Sequence, residues 1–155
     1  LYIKMLKLNH HPLFAFGGGM LTSDEQAIIC SLGFKNGQVK QIGGDDSVLA
    51  SLYKDAIAFV HPSLYEGFGI PPLEAMAFEC PVISSNSSSM PEVIGHAAEY
   101  FDPKEPESIK VAIENVVFSQ SRIRDLKAKG LERIQVFSWQ KCAKETLAIY
   151  KDIVG

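Results

Sequence analysis

Cysteine is scarce in this 155-residue chain: Cys30, Cys80 and Cys142 are odd in number and far apart. That excludes a disulfide framework and a zinc knuckle, and leaves the three as expected small core residues in a reducing compartment. The four histidines, His10, His11, His61 and His96, have no ligand partners at metal spacing, so packing is their expected role and no metal is assigned. Clustered positive charge is also missing. Fifteen Lys and Arg against 18 Asp and Glu give a net charge of −3 and a pI of about 5.8, with the basic residues scattered. A nucleic-acid binder needs basic clusters to displace counterions, so that class is excluded. No apolar run approaches the ~20 residues that span a bilayer. No secretory signal pattern, internal repeat or low-complexity tail is visible either.

What is there is globular: 46% hydrophobic and 21% charged residues, in a length that buries about two thirds of its unfolded surface as one domain. The most informative stretch is His61-Pro-Ser-Leu-Tyr-Glu66-Gly-Phe-Gly-Ile-Pro-Pro-Leu-Glu74. Gly67, Gly69, Pro71 and Pro72 forbid one continuous helix between the two acids. Glu66 is therefore expected in a loop. Pro71 or Pro72 is expected to open a helix with Glu74 in its first turn. Upstream, the apolar run Ala56–Val60 reads as a buried parallel strand. Strand, glycine loop and helix in that order form the place where open α/β sheets bind ligands. The prolines supply no N–H, so the donors left to face an anion are Phe68, Gly69, Ile70 and Leu73. Carboxylates beside such a site suit a ligand with hydroxyls as well as phosphate, and a nucleotide sugar has both. Taken singly, Glu74 also fits a residue complementing a helix dipole and Glu66 a solvated loop acid.

The rest of the chain alternates strands and helices. Leu1–His11 carries apolar residues at helical spacing without a cap. Leu13–Phe16 reads as a strand stopped by Gly17-Gly18-Gly19, a tight turn or a weak phosphate signal, and Thr22-Ser-Asp-Glu25 has capping-box spacing. Val39–Ile42 is a second strand. After it, Gly43 and Gly44 precede Asp45-Asp46-Ser47, which fits either an N-cap or a metal-holding acid pair. Pro81–Ser84 and Glu99–Phe101 are further short strands, and the serine-rich loop 85–89 fits a sugar-facing surface or a solvated turn. Helices follow from Pro106 and from about Ser121, where Arg122, Lys127 and Lys129 read as a solvated face. A last helix after Ser138 carries Trp139, Cys142, Ala143, Leu147 and Tyr150 on its apolar side. The fold class is α/β, a Rossmann-like, mostly parallel sheet with helices on both faces.

Glu66-Gly-Phe-Gly followed by Pro-Pro-Leu-Glu74-Ala-Met-Ala, with Cys80-Pro-Val-Ile and Ser89-Met-Pro-Glu-Val beyond, resembles the donor-binding half of retaining GT-B glycosyltransferases of the group 1, or family 4, type. The resemblance runs from about Phe16 to Tyr150. It implies a nucleoside diphosphate sugar, GDP- or UDP-hexose, as donor and no required cofactor. Glu66 would meet the hydroxyls of the transferred sugar, Glu74 would hold the ribose, and the Gly67–Ile70 segment would bind sugar and diphosphate oxygens. Gly43 and Gly44 would lie beside the base. It further implies that residues 1–155 are a donor lobe whose start is incomplete. A saccharide or lipid-linked acceptor would bind through an N-terminal lobe outside this sequence. The Arg and Lys that neutralise diphosphate in such enzymes are not identifiable, Lys4 and Lys7 fitting instead the tail of a helix after the loop that bears them. Similar flanks occur in mannosyl transferases of surface-polysaccharide assembly, which places the full-length protein in the cytoplasm, with peripheral association at the inner face of the membrane. Two competing readings are a non-catalytic nucleotide-sugar module on the same fold and a glycoside hydrolase using Glu66 and Glu74.

Overall fold

The computed structural model describes residues 12–16, 19–35 and 37–154. The readings of Leu1–His11, with Lys4 and Lys7, and of Gly17 and Gly18 fall outside them. The elements run β1 (Leu13–Phe16), α1 (Ser23–Ser31), β2 (Val39–Ile42), α2 (Asp46–Asp55), β3 (Phe59–His61), α3 (Ile70–Ala77), β4 (Val82–Ser85), α4 (Met90–Ile94), β5 (Ala98–Phe101), α5 (Pro106–Val117), α6 (Gln120–Ile134) and α7 (Trp139–Val154).

Among the described residues all strand pairing is parallel, in two ladders: β1 beside β2, and β3-β4-β5 in sequence order. In β4, side chains alternate between faces, and this alternation sorts the core. Val82 joins Tyr53, Ala75, Met76, Met90 and Ile94 from α2, α3 and α4, whereas Ile83 joins Phe101, Ala112, Val116 and Leu126 from β5, α5 and α6. Helices thus cover both faces of the three-stranded ladder, as the sequence pattern requires.

Several boundaries move for local reasons. Thr22 and Glu25 close the capping box that starts α1, and Asp45 accepts from the amides of Ser47 and Val48 as the cap of α2. Ala56 does not begin a strand: its N–H still donates to Leu52 at 2.9 Å, so β3 starts at Phe59. Helix α3 begins at Ile70, one residue ahead of the first proline, because Gly69 takes a left-handed turn (φ 95°) that lets the helix start there. Glu74 consequently stands in the second turn of α3.

Two side-chain assignments also change. Cys80 is buried, but Cys30 and Cys142 are exposed, so one cysteine of three is a core residue. Arg122 does not face bulk water. It pairs with Glu99 on β5 at 2.7 Å and with Asp125, which also accepts from Lys129 at 2.8 Å. Helix α7 has an apolar stripe but buries none of its residues.

Candidate functional site

The loop between β3 and α3 is shaped from two sides. From below, the backbone at Gly69 leaves no room for a side chain: a Cβ there would come within 2.2 Å of the Cε of buried Met90. From the side, the serine loop after β4 ties down the carbonyls. Ser88 donates to the Glu66 carbonyl at 2.8 Å, and Ser89 lies 3.0 Å from the same oxygen and 3.1 Å from that of Phe68. Ser85 donates to the Ser63 carbonyl at 2.6 Å. Of the hydroxyls read as facing either a sugar or solvent, those of Ser85, Ser88 and Ser89 are therefore occupied with the neighbouring backbone.

The N–H groups of Phe68, Gly69 and Ile70 find no acceptor among the described residues, and the Phe68 carbonyl, held by Ser89, turns the Gly69 N–H of the same trans peptide the other way. Gly69 offers no side-chain cap to α3. Unpaired donors at a helix N-terminus carry partial positive charge, so the loop presents a surface suited to an anion.

The two acids sit differently. Glu66 is about one-third exposed, and its Oε1 is 3.5 Å from the Nε2 of His61 at the end of β3. Burial lowers the His61 pKa below its ordinary value, and the Glu66 carboxylate only partly opposes this, so the ring is neutral near pH 7. Glu74 is exposed and lies beside the hydroxyl of Tyr53 on α2, a phenol whose pKa rises through burial first and the Glu74 charge second. Tyr53 is itself fixed edge-on against Phe59, with ring centroids 5.2 Å apart. Gly67 is open, with nothing within 4 Å of a would-be Cβ, and Phe68 packs edge-to-face on Phe137 at 5.7 Å.

The structure thus brings Glu66, Gly67, Phe68, Gly69 and Ile70 into one turn, with Glu74 farther along α3. Gly43 and Gly44 stand apart from these in sequence, after β2. Among the described residues no hydrogen bond or ion pair joins them to the Glu66 loop. Gly44 is required locally, since a Cβ would lie 2.8 Å from Val48 Cγ2, whereas Gly43 is open. Sequence reading gave His61 a packing role and did not place it beside Glu66, a neighbour that its position at the carboxyl end of the strand feeding the loop could have suggested. It also did not give the serine hydroxyls their partners, since no spacing rule ties them to a loop 21 to 23 residues away. A recess of about 670 Å³ lined by Glu99, Asn115, Phe118 and Arg122 lies elsewhere, and there Glu99 is already paired with Arg122 and accepts from Asn115. No group of three or more potential metal ligands occurs among the described residues, and no helix there is long and apolar enough to cross a membrane.

Residues 3–133 match the family model for glycosyl transferases group 1. The chain belongs to this family. Among curated relatives, the group 1 chain is 39% identical over 142 residues to the O-antigen chain mannosyltransferase B of Escherichia coli, covering 91% of itself and 37% of that protein. It therefore spans little more than a third of the relative's length. Among solved structures it superposes on a glycosyltransferase from Rickettsia africae with a TM-score of 0.80 at 20% identity, covering 99% of this chain and 42% of the other. It also superposes on the C-terminal domain of a group 1 glycosyl transferase from Francisella tularensis with a TM-score of 0.63 at 25% identity, covering 73% and 60%. The group 1 chain is accordingly the second, C-terminal domain of the GT-B architecture, in a family that uses nucleotide-sugar donors.

Proposed function

We propose that residues 1–155 form the donor-binding domain of a retaining glycosyltransferase. It moves a hexose, mannose in this reading, from a GDP-sugar to a saccharide or lipid-linked acceptor during surface-polysaccharide synthesis. The observation that carries the proposal is the row of unpaired amides at Phe68, Gly69 and Ile70, in a loop whose carbonyls are held by serine hydroxyls, between Glu66 and Glu74. The choice of mannose is supported by the 39% identity to a protein named as an O-antigen mannosyltransferase.

In this reading the donor diphosphate rests on the Gly69 and Ile70 amides and the positive end of α3, which stabilise the negative charge that grows as the sugar departs. Glu66 accepts hydrogen bonds from the sugar hydroxyls and fixes the ring. Glu74 accepts from the nucleotide ribose, and Gly43 and Gly44 lie near the base. Same-face transfer, with the acceptor proton passing to the departing phosphate, asks the protein for positioning and electrostatics more than for a tuned acid and base. The acceptor belongs to a second lobe outside this sequence. Such a protein would work in the cytoplasm, touching the inner membrane face where a lipid-linked acceptor sits.

Calorimetry of the full-length protein with GDP, UDP and dTDP tests this reading. One nucleotide is expected to be preferred, and Glu74→Ala is expected to weaken it about tenfold, the worth of a hydrogen bond to a charged acceptor. Unchanged affinity in Glu74→Ala would remove the ribose assignment.

A further inference from the structure

His61 was expected to be a packing residue, yet its surroundings are those of a working group. Its ring leans on Phe59, with centroids 5.7 Å apart, and its Nε2 is sealed from solvent without a hydrogen-bond partner. The acceptor within reach is the Glu66 carboxylate, 3.5 Å away. A buried donor left unpaired is unfavourable, and a small rotation of Glu66 toward the ring would satisfy both groups. The tautomer follows from the neighbour: a lone pair on Nε2 would face a carboxylate oxygen and repel it, so Nε2 carries the proton and Nδ1 the lone pair.

We propose that His61 is a positioning residue: its neutral imidazole donates from Nε2 to Glu66 and holds that carboxylate in the orientation that meets the sugar of the donor. The role rests on Glu66 being the sugar-binding acid, and it deepens that reading. Because the ring stays neutral, Glu66 keeps its full charge for the hydroxyls instead of sharing it with an imidazolium. Ser63, Glu66 and Phe68 are anchored through their backbone carbonyls by Ser85, Ser88 and Ser89. Those bonds fix the loop but leave the Glu66 side chain to find its own direction, and His61 supplies it.

The effect belongs to the sugar and not to the nucleotide, which sets the experiment. Binding of GDP-mannose and of GDP to the full-length protein is compared by calorimetry for the parent, His61→Phe, His61→Gln, His61→Asn and Glu66→Ala. In His61→Phe, GDP-mannose is expected to weaken about tenfold and GDP to stay within about twofold. The Gln amide reaches the Nε2 position and is expected to restore binding to within about threefold. The Asn amide reaches only the Nδ1 position and is expected to fail, so the Gln and Asn pair decides the matter even where Phe disturbs folding. Added to Glu66→Ala, His61→Phe is expected to have no further effect. Equal weakening of GDP and GDP-mannose, equal behaviour of Gln and Asn, or additive losses in the double variant would each overturn the role. If Glu66→Ala leaves the preference for GDP-mannose over GDP unchanged, the reading of Glu66 itself fails. If Glu66→Ala abolishes that preference while His61→Phe does not touch it, only the role given to His61 fails.

Discussion

Replacing Gly69 by alanine is the sharpest test of how the loop is built. The residue sits at φ 95°, and the new Cβ would lie 2.2 Å from Met90 Cε and 3.2 Å from its Sδ. Left-handed backbone in a residue with a side chain costs ~1–3 kcal/mol. Pushing a methyl into a packed site costs a similar ~1–3 kcal/mol, and Met90, at 1% exposure, has no solvent to retreat into. Together about 3 kcal/mol is expected, which for a domain of this size lowers Tm by about 6–12 °C. Thermal denaturation followed by circular dichroism measures it. A double-variant cycle then separates the two causes: with Met90→Ala in the background, the clash disappears while the backbone strain stays, giving a coupling of about 1–2 kcal/mol. A Gly69→Ala protein melting within about 2 °C of its parent would show that the turn is not held in this conformation.

Three further outcomes are expected. Arg133 donates from Nε to the Val93 carbonyl at 2.8 Å, reaches that of Glu92, and lies 5.0 Å from the Phe137 ring centroid. Arg133→Ala should lower the urea midpoint by the equivalent of about 1.5–3 kcal/mol without changing the slope, and Arg133→Lys should recover less than half because an ammonium lacks the planar fork. Burial pushes the Cys80 thiol up to about 11, the field of Lys127 only partly opposing it, so a thiol reagent at pH 8 should label Cys30 and Cys142 quickly and Cys80 only on unfolding; fast labelling of all three would contradict the packing. His61 has a folded pKa below 6.5, so the unfolded chain takes up its proton first as the pH falls. Stability from this group is whole above pH 6.5 and is lost as pH drops through the folded value, so Tm should fall between pH 7.5 and 5.5 with a smaller slope in His61→Gln. An identical slope in both proteins would refute the assignment.

The alternation of strands and helices was legible because the signals were local. Capping residues at Thr22, Asp45 and Ser138, and prolines near the starts of α3, α4 and α5, each act within a few residues of where they stand. Boundaries slipped where one residue serves two elements, as at Ala56, whose apolar side chain suggested a strand while its amide finished α2. The start of α3 slipped because a left-handed glycine can open a helix one residue ahead of the proline that marks it. Within the candidate site, the spacing of the acids and glycines marked the turn that the structure forms between β3 and α3. His61 and the serine hydroxyls could not be given their partners, since those contacts depend on β3 and β4 lying side by side, in a register that pairs His61 with Ser84. Arg122 was misjudged for the same reason: its acidic partner on β5 is 23 residues away in sequence.

The three serine bonds to the Glu66 loop carry a thermodynamic implication of their own. A bend rich in glycine would ordinarily wander, and an incoming anion would have to pay to freeze it before gaining anything from its donors. Here that freezing is completed during folding, by hydroxyls that need no visitor. In the proposed reading, an arriving phosphate would therefore meet a loop already ordered, and capture would call for little rearrangement of the main chain.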